Sequence, residues 1–134
     1  MTKTDIDIDH VETQDSEHDE AHEALHECIE ECLNCNAVCT MSLQHCLATG
    51  GTHTEINLVG LLLDCAEICQ TSANFMLRGS PYHVVTCGAC AEICRACAEA
   101  CSSVTDDEQL MHCAEVCASC AESCDQMARM GAEE

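Results

Sequence analysis

The stretch CGACAEICRACAEAC, residues 87–101, places five cysteines at intervals of three, four, three and four residues. In an amphipathic helix this spacing marks the face that packs against the core, because positions i, i+3, i+4 and i+7 lie on one side. Leu or Ile normally occupies such positions. The stretch therefore predicts a helix whose buried face consists of thiols.

The same pattern recurs in four segments of the chain. A Cys-x-Glu-x-Cys frame appears at residues 28–32, 65–69, 90–94 and 113–117. In each copy the sulfurs share one stripe and the Glu lies off it, on the face expected to meet solvent. Because no other element is available to cover the four stripes, we expect them to face one another.

Short linkers divide the chain into four helical segments. Boundary signals place these helices near residues 17–48, 54–78, 81–103 and 106–130. Connections this short join antiparallel neighbours, so the predicted fold class is all-α, an antiparallel up-down four-helix bundle with a Cys-lined core over residues 17–130. Residues 1–16 are acidic and weakly patterned, which predicts a mobile N-terminal arm, and residues 131–134 are predicted to form a short tail.

Three helix starts carry recognisable capping signals. Thr54 is the predicted N-cap of the second helix, and Ser80 before Pro81 is that of the third. Thr105 with Glu108 has the spacing of a capping box for the fourth helix.

Composition and charge argue against several classes of binding partner. The 134 residues carry a formal net charge of −21, which argues against nucleic acid and anionic membranes. No apolar run approaches the roughly 18 residues of a membrane span. The first residues lack the basic and apolar regions of an export signal, so we expect a cytoplasmic protein with reduced thiols. The acidic excess and scarcity of Lys also suggest adaptation to a salt-rich cytoplasm.

The cysteines suggest metal binding, since a dense thiol pattern in a reducing compartment favours metal over disulfides. Seven C-x-x-x-C pairs occur: Cys28/Cys32, Cys35/Cys39, Cys65/Cys69, Cys90/Cys94, Cys97/Cys101, Cys113/Cys117 and Cys120/Cys124. Side chains at i and i+4 are neighbours on a helix, with Cβ atoms about 5–6 Å apart. A soft ion of low coordination number, Cu(I), suits a position between two such sulfurs.

Charge favours monovalent copper over zinc. If each Cu(I) binds two thiolates and each thiolate bridges two ions, about one ion is held per Cys and the core stays nearly neutral. An isolated Zn²⁺ with four thiolates would carry a net charge of about −2, and several such charges are costly to bury. We therefore expect a store of several Cu(I) ions.

On these residues the chain resembles the four-helix-bundle copper storage proteins, the Csp family, and specifically their cytosolic branch. The likeness rests on C-x-x-x-C pairs on all four helices across residues 22–130. It implies reversible storage of many Cu(I) ions, protection from free copper and a homo-oligomer, commonly a tetramer. A copper chaperone or a small thiol is the expected copper donor. Ser42 and Ser72 stand on the stripe where the pattern would place sulfur.

The predicted metal ligands are all sixteen cysteines: Cys28, Cys32, Cys35, Cys39, Cys46, Cys65, Cys69, Cys87, Cys90, Cys94, Cys97, Cys101, Cys113, Cys117, Cys120 and Cys124. Antiparallel topology brings further soft side chains to one end of the bundle, where we expect a copper portal: His22, His26, Met76, His83, Met127 and Met130. As the alternative, these methionines only fill gaps in the core. At the opposite end four leucines predict a plug: Leu47, Leu58, Leu62 and Leu110. The other histidines are expected to be surface residues: His10, His18, His45, His53 and His112.

Several alternatives stay open. Local C-x-x-C pairs would also suit a zinc or mixed-metal thiolate buffer, similar to metallothionein, and a disulfide-stapled structural bundle is a further alternative. An iron–sulfur carrier is disfavoured because its cysteine run is absent. No catalytic constellation stands out, so we expect a binding protein without enzymatic turnover. Leu61, Ile68 and Phe75 form a second apolar line, which either widens the core face or contacts another protomer.

Overall fold

The structure, a computed structural model, describes residues 16–133. Its four long helices are α1 (Ser16–Thr49), α2 (Ile56–Leu77), α3 (His83–Ser102) and α4 (Glu108–Glu133), with a 3₁₀ turn at Gly51–Thr54 after α1. The helix ends lie one to three residues from the predicted positions, and α4 continues into the segment assigned to a tail. Residues 1–15 of the predicted arm, which include His10, and the side chain of His18 lie outside the described residues.

The helices close into one bundle. α1 packs against α2 and α4, and α3 packs against the same two neighbours. Since consecutive helices are adjacent and joined by short loops, they run up, down, up and down. This confirms the predicted all-α four-helix bundle. Within residues 16–133, no helix is both long and apolar enough to traverse a lipid bilayer.

Thiols fill most of the bundle interior. All sixteen cysteines are buried, together with Leu62 and Leu110, the two largest side chains without exposed surface. A neutral thiol behaves as a small hydrophobe, so this sulfur stripe packs as a core in its own right. The polar side chains buried with it are Ser42 and Ser72, which stand on the same stripes as the cysteines.

Two predicted helix caps take other roles. Thr54 ends the 3₁₀ turn, where its Oγ1 donates to the Gly51 carbonyl at 2.7 Å, and α2 begins after an extended Glu55. Ser80 lies outside α3, and its Oγ accepts the Tyr82 N–H at 3.1 Å. In both places a local turn uses the hydroxyl before the helix begins, as Ser and Thr side chains often do.

The cap of α4 is Asp107, not Thr105. The Asp107 Oδ1 accepts the Leu110 N–H at 3.0 Å, which satisfies a donor of the first helical turn. Asp106 adopts a left-handed backbone with φ of 60°, a conformation that Asp tolerates better than most residues. The helix therefore begins two residues later than the sequence indicated, and Asp107 replaces the predicted capping box at Thr105.

The leucines at one end should carry much of the stability of the metal-free bundle. Leu62 has no exposed surface, whereas Leu47 on α1 is 56% exposed. We expect Leu62→Ala to lower the free energy of unfolding by about 2–5 kcal/mol, because it leaves a cavity. The matched Leu47→Ala should change it by at most about 0.5 kcal/mol. Urea denaturation of the reduced, metal-free protein measures both. Equal losses in the two variants would contradict this packing.

Candidate metal centre

The sixteen thiols are free, and none has exposed surface. Every helix contributes to the sulfur interior, since the heptad-like spacing turns each Cys toward the bundle axis. α1 supplies Cys28, Cys32, Cys35, Cys39 and Cys46; α2 supplies Cys65 and Cys69; α3 supplies Cys87, Cys90, Cys94, Cys97 and Cys101; α4 supplies Cys113, Cys117, Cys120 and Cys124.

Twelve of these thiols form a row of four overlapping clusters. In each cluster all Sγ atoms lie within 4.8 Å of one another, and the members come from three or four helices. In order along the bundle the clusters are Cys28/Cys87/Cys124, Cys32/Cys90/Cys120/Cys124, Cys35/Cys69/Cys94/Cys120 and Cys35/Cys39/Cys65/Cys117. Consecutive clusters share one sulfur, namely Cys124, Cys120 and Cys35. Such shared sulfurs are placed to bridge neighbouring ions.

The shortest sulfur contacts cross between helices. The Sγ atoms of Cys32 and Cys124, and those of Cys65 and Cys94, are 3.4 Å apart. Three of the seven C-x-x-x-C pairs also bring their sulfurs within 4 Å: Cys35/Cys39, Cys90/Cys94 and Cys113/Cys117, at 3.9, 3.7 and 3.9 Å. Each of these pairs thus places two neighbouring sulfurs on one helix, and the other helices of the bundle supply further sulfurs around them.

The net charge of the metal-free core depends on whether its buried thiols carry their protons. Burial raises the pKa of the Cys46 thiol, and the Asp107 carboxylate and the Cys113 thiol raise it further. Like any thiol in apolar surroundings, it stays protonated without a metal. Since the ligand of a metal ion is the thiolate, an ion that binds a neutral thiol displaces its proton.

The two buried serines mark places where a ligand is missing. The Ser72 Oγ lies 3.3 Å from the Cys87 Sγ, directly beside the first thiol cluster. The Ser42 Oγ accepts a hydrogen bond from the Gln109 side chain at 3.0 Å. Both hydroxyls are satisfied, so each interruption of the stripe is a stable part of the core.

The predicted portal methionines lie next to the sulfur row. Met76 is buried, and its Sδ is 3.8 Å from the Cys87 Sγ, so a thioether directly extends the first cluster. Met127, one helical turn beyond Cys124, is also buried, and Met130 is half-buried.

The predicted portal histidines are less enclosed. His22 and His26 are exposed, with ring centroids 5.5 Å apart in an edge-to-face arrangement. His83 is half-buried, and its Nδ1 is 2.8 Å from the Ser80 carbonyl oxygen. The structure brings the two α1 histidines together and ties His83 to the loop before α3.

At the opposite end, Leu47 differs from the other predicted plug residues. It is 56% exposed, whereas Leu58, Leu62 and Leu110 are buried. The plug therefore consists of three leucines from α2 and α4. Leu47 lies one residue after the inward-facing Cys46, which turns it away from the bundle axis.

The same end contains a cluster that the sequence did not indicate. His45 and His53, expected as surface residues, both place Nε2 at 2.8 Å from the Asp107 Oδ2. Burial raises the pKa of Asp107, but hydrogen bonds from His45, the Leu110 amide and His53 lower it to about 2 overall. His45 and His53 keep exposed surface, at 37% and 18% of their side chains, but the antiparallel topology also brings both to Asp107, which the sequence spacing did not indicate.

The fold of this chain is similar to that of known proteins. A family model described as copper storage protein (Csp) matches residues 21–129. No curated protein matches the chain. A solved structure from Nitrosospira multiformis is 44% identical, with a TM-score of 0.76, over 81% of this chain and 98% of that one.

Two further solved structures are described as copper storage proteins with copper bound. BsCsp3 in its Cu(I)-bound form is 33% identical, with a TM-score of 0.74, over 78% of this chain and 98% of that one. A cytosolic copper storage protein from Streptomyces lividans, with five coppers, is 31% identical, with a TM-score of 0.74, over 81% of this chain and 95% of that one.

Proposed function

The chain belongs to the family of copper storage proteins, and we propose that it stores many Cu(I) ions on its sixteen core cysteines. The observation that carries this proposal is the row of thiol clusters joined by shared sulfurs. Bridging thiolates let about one ion bind per Cys. The protein acts as a store without enzymatic turnover, and like its Streptomyces lividans relative it works in the cytosol.

Copper(I) fits the buried row because of its charge. Each Cu(I) that replaces one proton leaves the net charge of the core unchanged. A thiolate shared between two ions contributes half its charge to each, so a continuous row of Cu(I) and bridging sulfur stays close to neutral. This matters because unpaired charge in a dry interior is costly.

A zinc buffer is the alternative, and it is not favoured. Four buried thiols within 4.8 Å of one another could also hold Zn²⁺. Sharing single sulfurs between such sites still leaves more thiolate charge than metal charge, and the row would carry several buried negative charges. The solved relatives described with bound metal contain copper.

The number of Cu(I) ions bound per chain should depend on the number of thiols in the core and not on the total number of thiols. We expect anaerobic titration of the reduced chain to saturate at about one Cu(I) per Cys. Ser72→Cys, which adds a thiol beside Cys87, should raise the capacity. Ser102→Cys, which adds an exposed thiol, should leave it unchanged. Bound copper per chain, measured after desalting, gives the answer.

A parallel titration with Zn²⁺ separates the two metals. Saturation near four Zn²⁺ with weak Cu(I) uptake would favour the zinc buffer instead. If Ser72→Cys and Ser102→Cys gave the same capacity, the buried row would not be the store.

We further propose that copper enters at the end that carries Met76, Met127 and His83. The contact between the Met76 Sδ and the Cys87 Sγ supports this, because a thioether binds Cu(I) more weakly than a thiolate and can pass it on. His22, His26 and Met130 complete the portal at its outer edge. A copper chaperone or a small-thiol complex delivers the ion there.

Loss of the portal ligands should slow loading and spare capacity. We expect the triple variant Met76→Leu, Met127→Leu, His83→Gln to take up Cu(I) several-fold more slowly and to reach the same final content. A control with the same substitutions at exposed positions, Met41→Leu, Met111→Leu, His112→Gln, should load at the normal rate. Stopped-flow absorbance of the copper–thiolate bands follows both. Equal rates in the two variants would contradict the portal.

We also propose that α2 joins protomers into a homo-oligomer, a tetramer by family resemblance. Leu61, Ile68 and Phe75 remain half-buried, which leaves apolar surface beside the core stripe. On a further face of the same helix, Leu63 and Leu77 are 46% and 61% exposed. So much apolar surface on one helix is typical of a contact between proteins.

Charges on this face should dissociate the assembly. We expect light scattering of the native protein to give a multiple of the 14.4 kDa chain mass, and Leu63→Glu with Leu77→Glu to reduce it. Glu substitution of the exposed Val85 and Met111, on α3 and α4, serves as the control and should leave the mass unchanged. A monomeric native protein would reject the interface.

A further inference from the structure

We propose that His45, His53 and Asp107 form a second metal site, which takes a borderline divalent ion of the Zn²⁺ class and is separate from the thiol row. The site lies at the leucine-plugged end of the bundle, opposite the proposed portal. It goes beyond copper storage, since none of its three ligands is a sulfur.

Three separate segments of the chain each place one ligand atom at the same point. His45 projects from the C-terminal part of α1, His53 from the 3₁₀ turn, and Asp107 from the loop before α4. Both Nε2 atoms are 2.8 Å from the Asp107 Oδ2, and all three ligand atoms lie within 4.8 Å of one another. The imidazole rings meet edge to face, with centroids 5.9 Å apart. Convergence of this kind is what a metal site requires.

The donor set selects the ion. Two imidazole nitrogens and one carboxylate oxygen suit Zn²⁺, which accepts three protein ligands and keeps a fourth position for water. Metal–ligand distances of about 2.0–2.2 Å place tetrahedral ligand atoms roughly 3.3 Å apart. The present nitrogen–oxygen separations of 2.8 Å therefore need to open by only about half an ångström. Cu(I) prefers the thiolates and leaves this site to harder ions.

A metal ion can replace the protons that now lie between the two imidazoles and the Asp107 carboxylate. Each imidazole now approaches the carboxylate through Nε2, and a metal ion would take the place of the N–H protons between them. A neutral imidazole keeps its proton by moving it to Nδ1, which frees the Nε2 lone pair for the metal. The site with Zn²⁺ has a net charge of +1, which the acidic surface of the chain accommodates.

The carboxylate is held in place before any metal binds. The Asp107 Oδ1 accepts the Leu110 N–H at 3.0 Å, so the remaining oxygen, Oδ2, faces the two histidines. The Asp107 side chain is 9% exposed and that of His53 is 18% exposed, while His45 at 37% leaves a route from solvent. A fixed and partly buried ligand loses little conformational entropy on binding.

The ¹⁵N NMR signals of the histidine side chains test this site directly. Reduced protein with ¹⁵N-labelled histidine is filled with Cu(I), so that the thiols no longer compete, and Zn²⁺ is then added anaerobically. We expect the Nε2 signals of His45 and His53 to move to metal-bound positions at one Zn²⁺ per chain, with equilibrium dialysis giving the affinity. Unmoved signals for these two histidines would show a hydrogen-bonded clamp only and would overturn the site.

Two variants define the role of Asp107. Asp107→Asn keeps a cap for the Leu110 N–H but loses the anionic ligand, so Zn²⁺ affinity should fall by about tenfold or more. His112→Gln removes an exposed histidine of α4 outside the cluster and should leave the affinity unchanged. Equal affinity of Asp107→Asn and the unaltered chain would also overturn the proposal.

The same titration without copper separates this site from copper storage. If the two histidine signals move in a chain that takes up no Cu(I), the site stands and the storage function fails. If Cu(I) fills the core and the signals do not move, the site alone is overturned.

Discussion

The structure depends on one constraint: a core made of sulfur must stay uncharged. As neutral thiols, the sixteen cysteines pack like small apolar side chains and hold a bundle that contains very few aromatic residues. As isolated thiolates they would be too costly to bury. Only a ligand that brings one positive charge for each proton it displaces leaves this balance intact. The choice of Cu(I) follows from the same electrostatics that allow the metal-free fold.

Storage capacity depends on how the helices are placed against one another. Cys35 belongs to two clusters because α1 presents it to α2, α3 and α4 within 4.8 Å. Cys120 and Cys124 link the other clusters in the same way. A shift of one helix by one turn would keep every C-x-x-x-C pair and break this sharing. The leucines of the plugged end therefore contribute to function indirectly, since they help to fix the relative position of the helices.

The sequence predicted what depends on local periodicity. Thiols every three or four residues define both the helices and their buried faces, so the bundle and its lining follow from residues 28–124 alone. Periodicity within one helix does not determine which side chains of different helices come into contact. The Cys65–Cys94 contact depends on helix rotation, and the shift of the α4 cap to Asp107 follows from the left-handed backbone of Asp106. His45 and Asp107 are 62 residues apart in the chain and carry no shared motif, so only the fold shows that they meet.

Proton release on loading is the most direct measure of the central claim. In weakly buffered, oxygen-free solution, Cu(I) added to the reduced chain should liberate about one proton per ion, up to saturation. That ratio would show thiols exchanged for thiolates at constant net charge. Release of about two protons per ion throughout the titration, or of none, would mean that the buried row gains charge or that copper binds elsewhere, and either result would contradict the account.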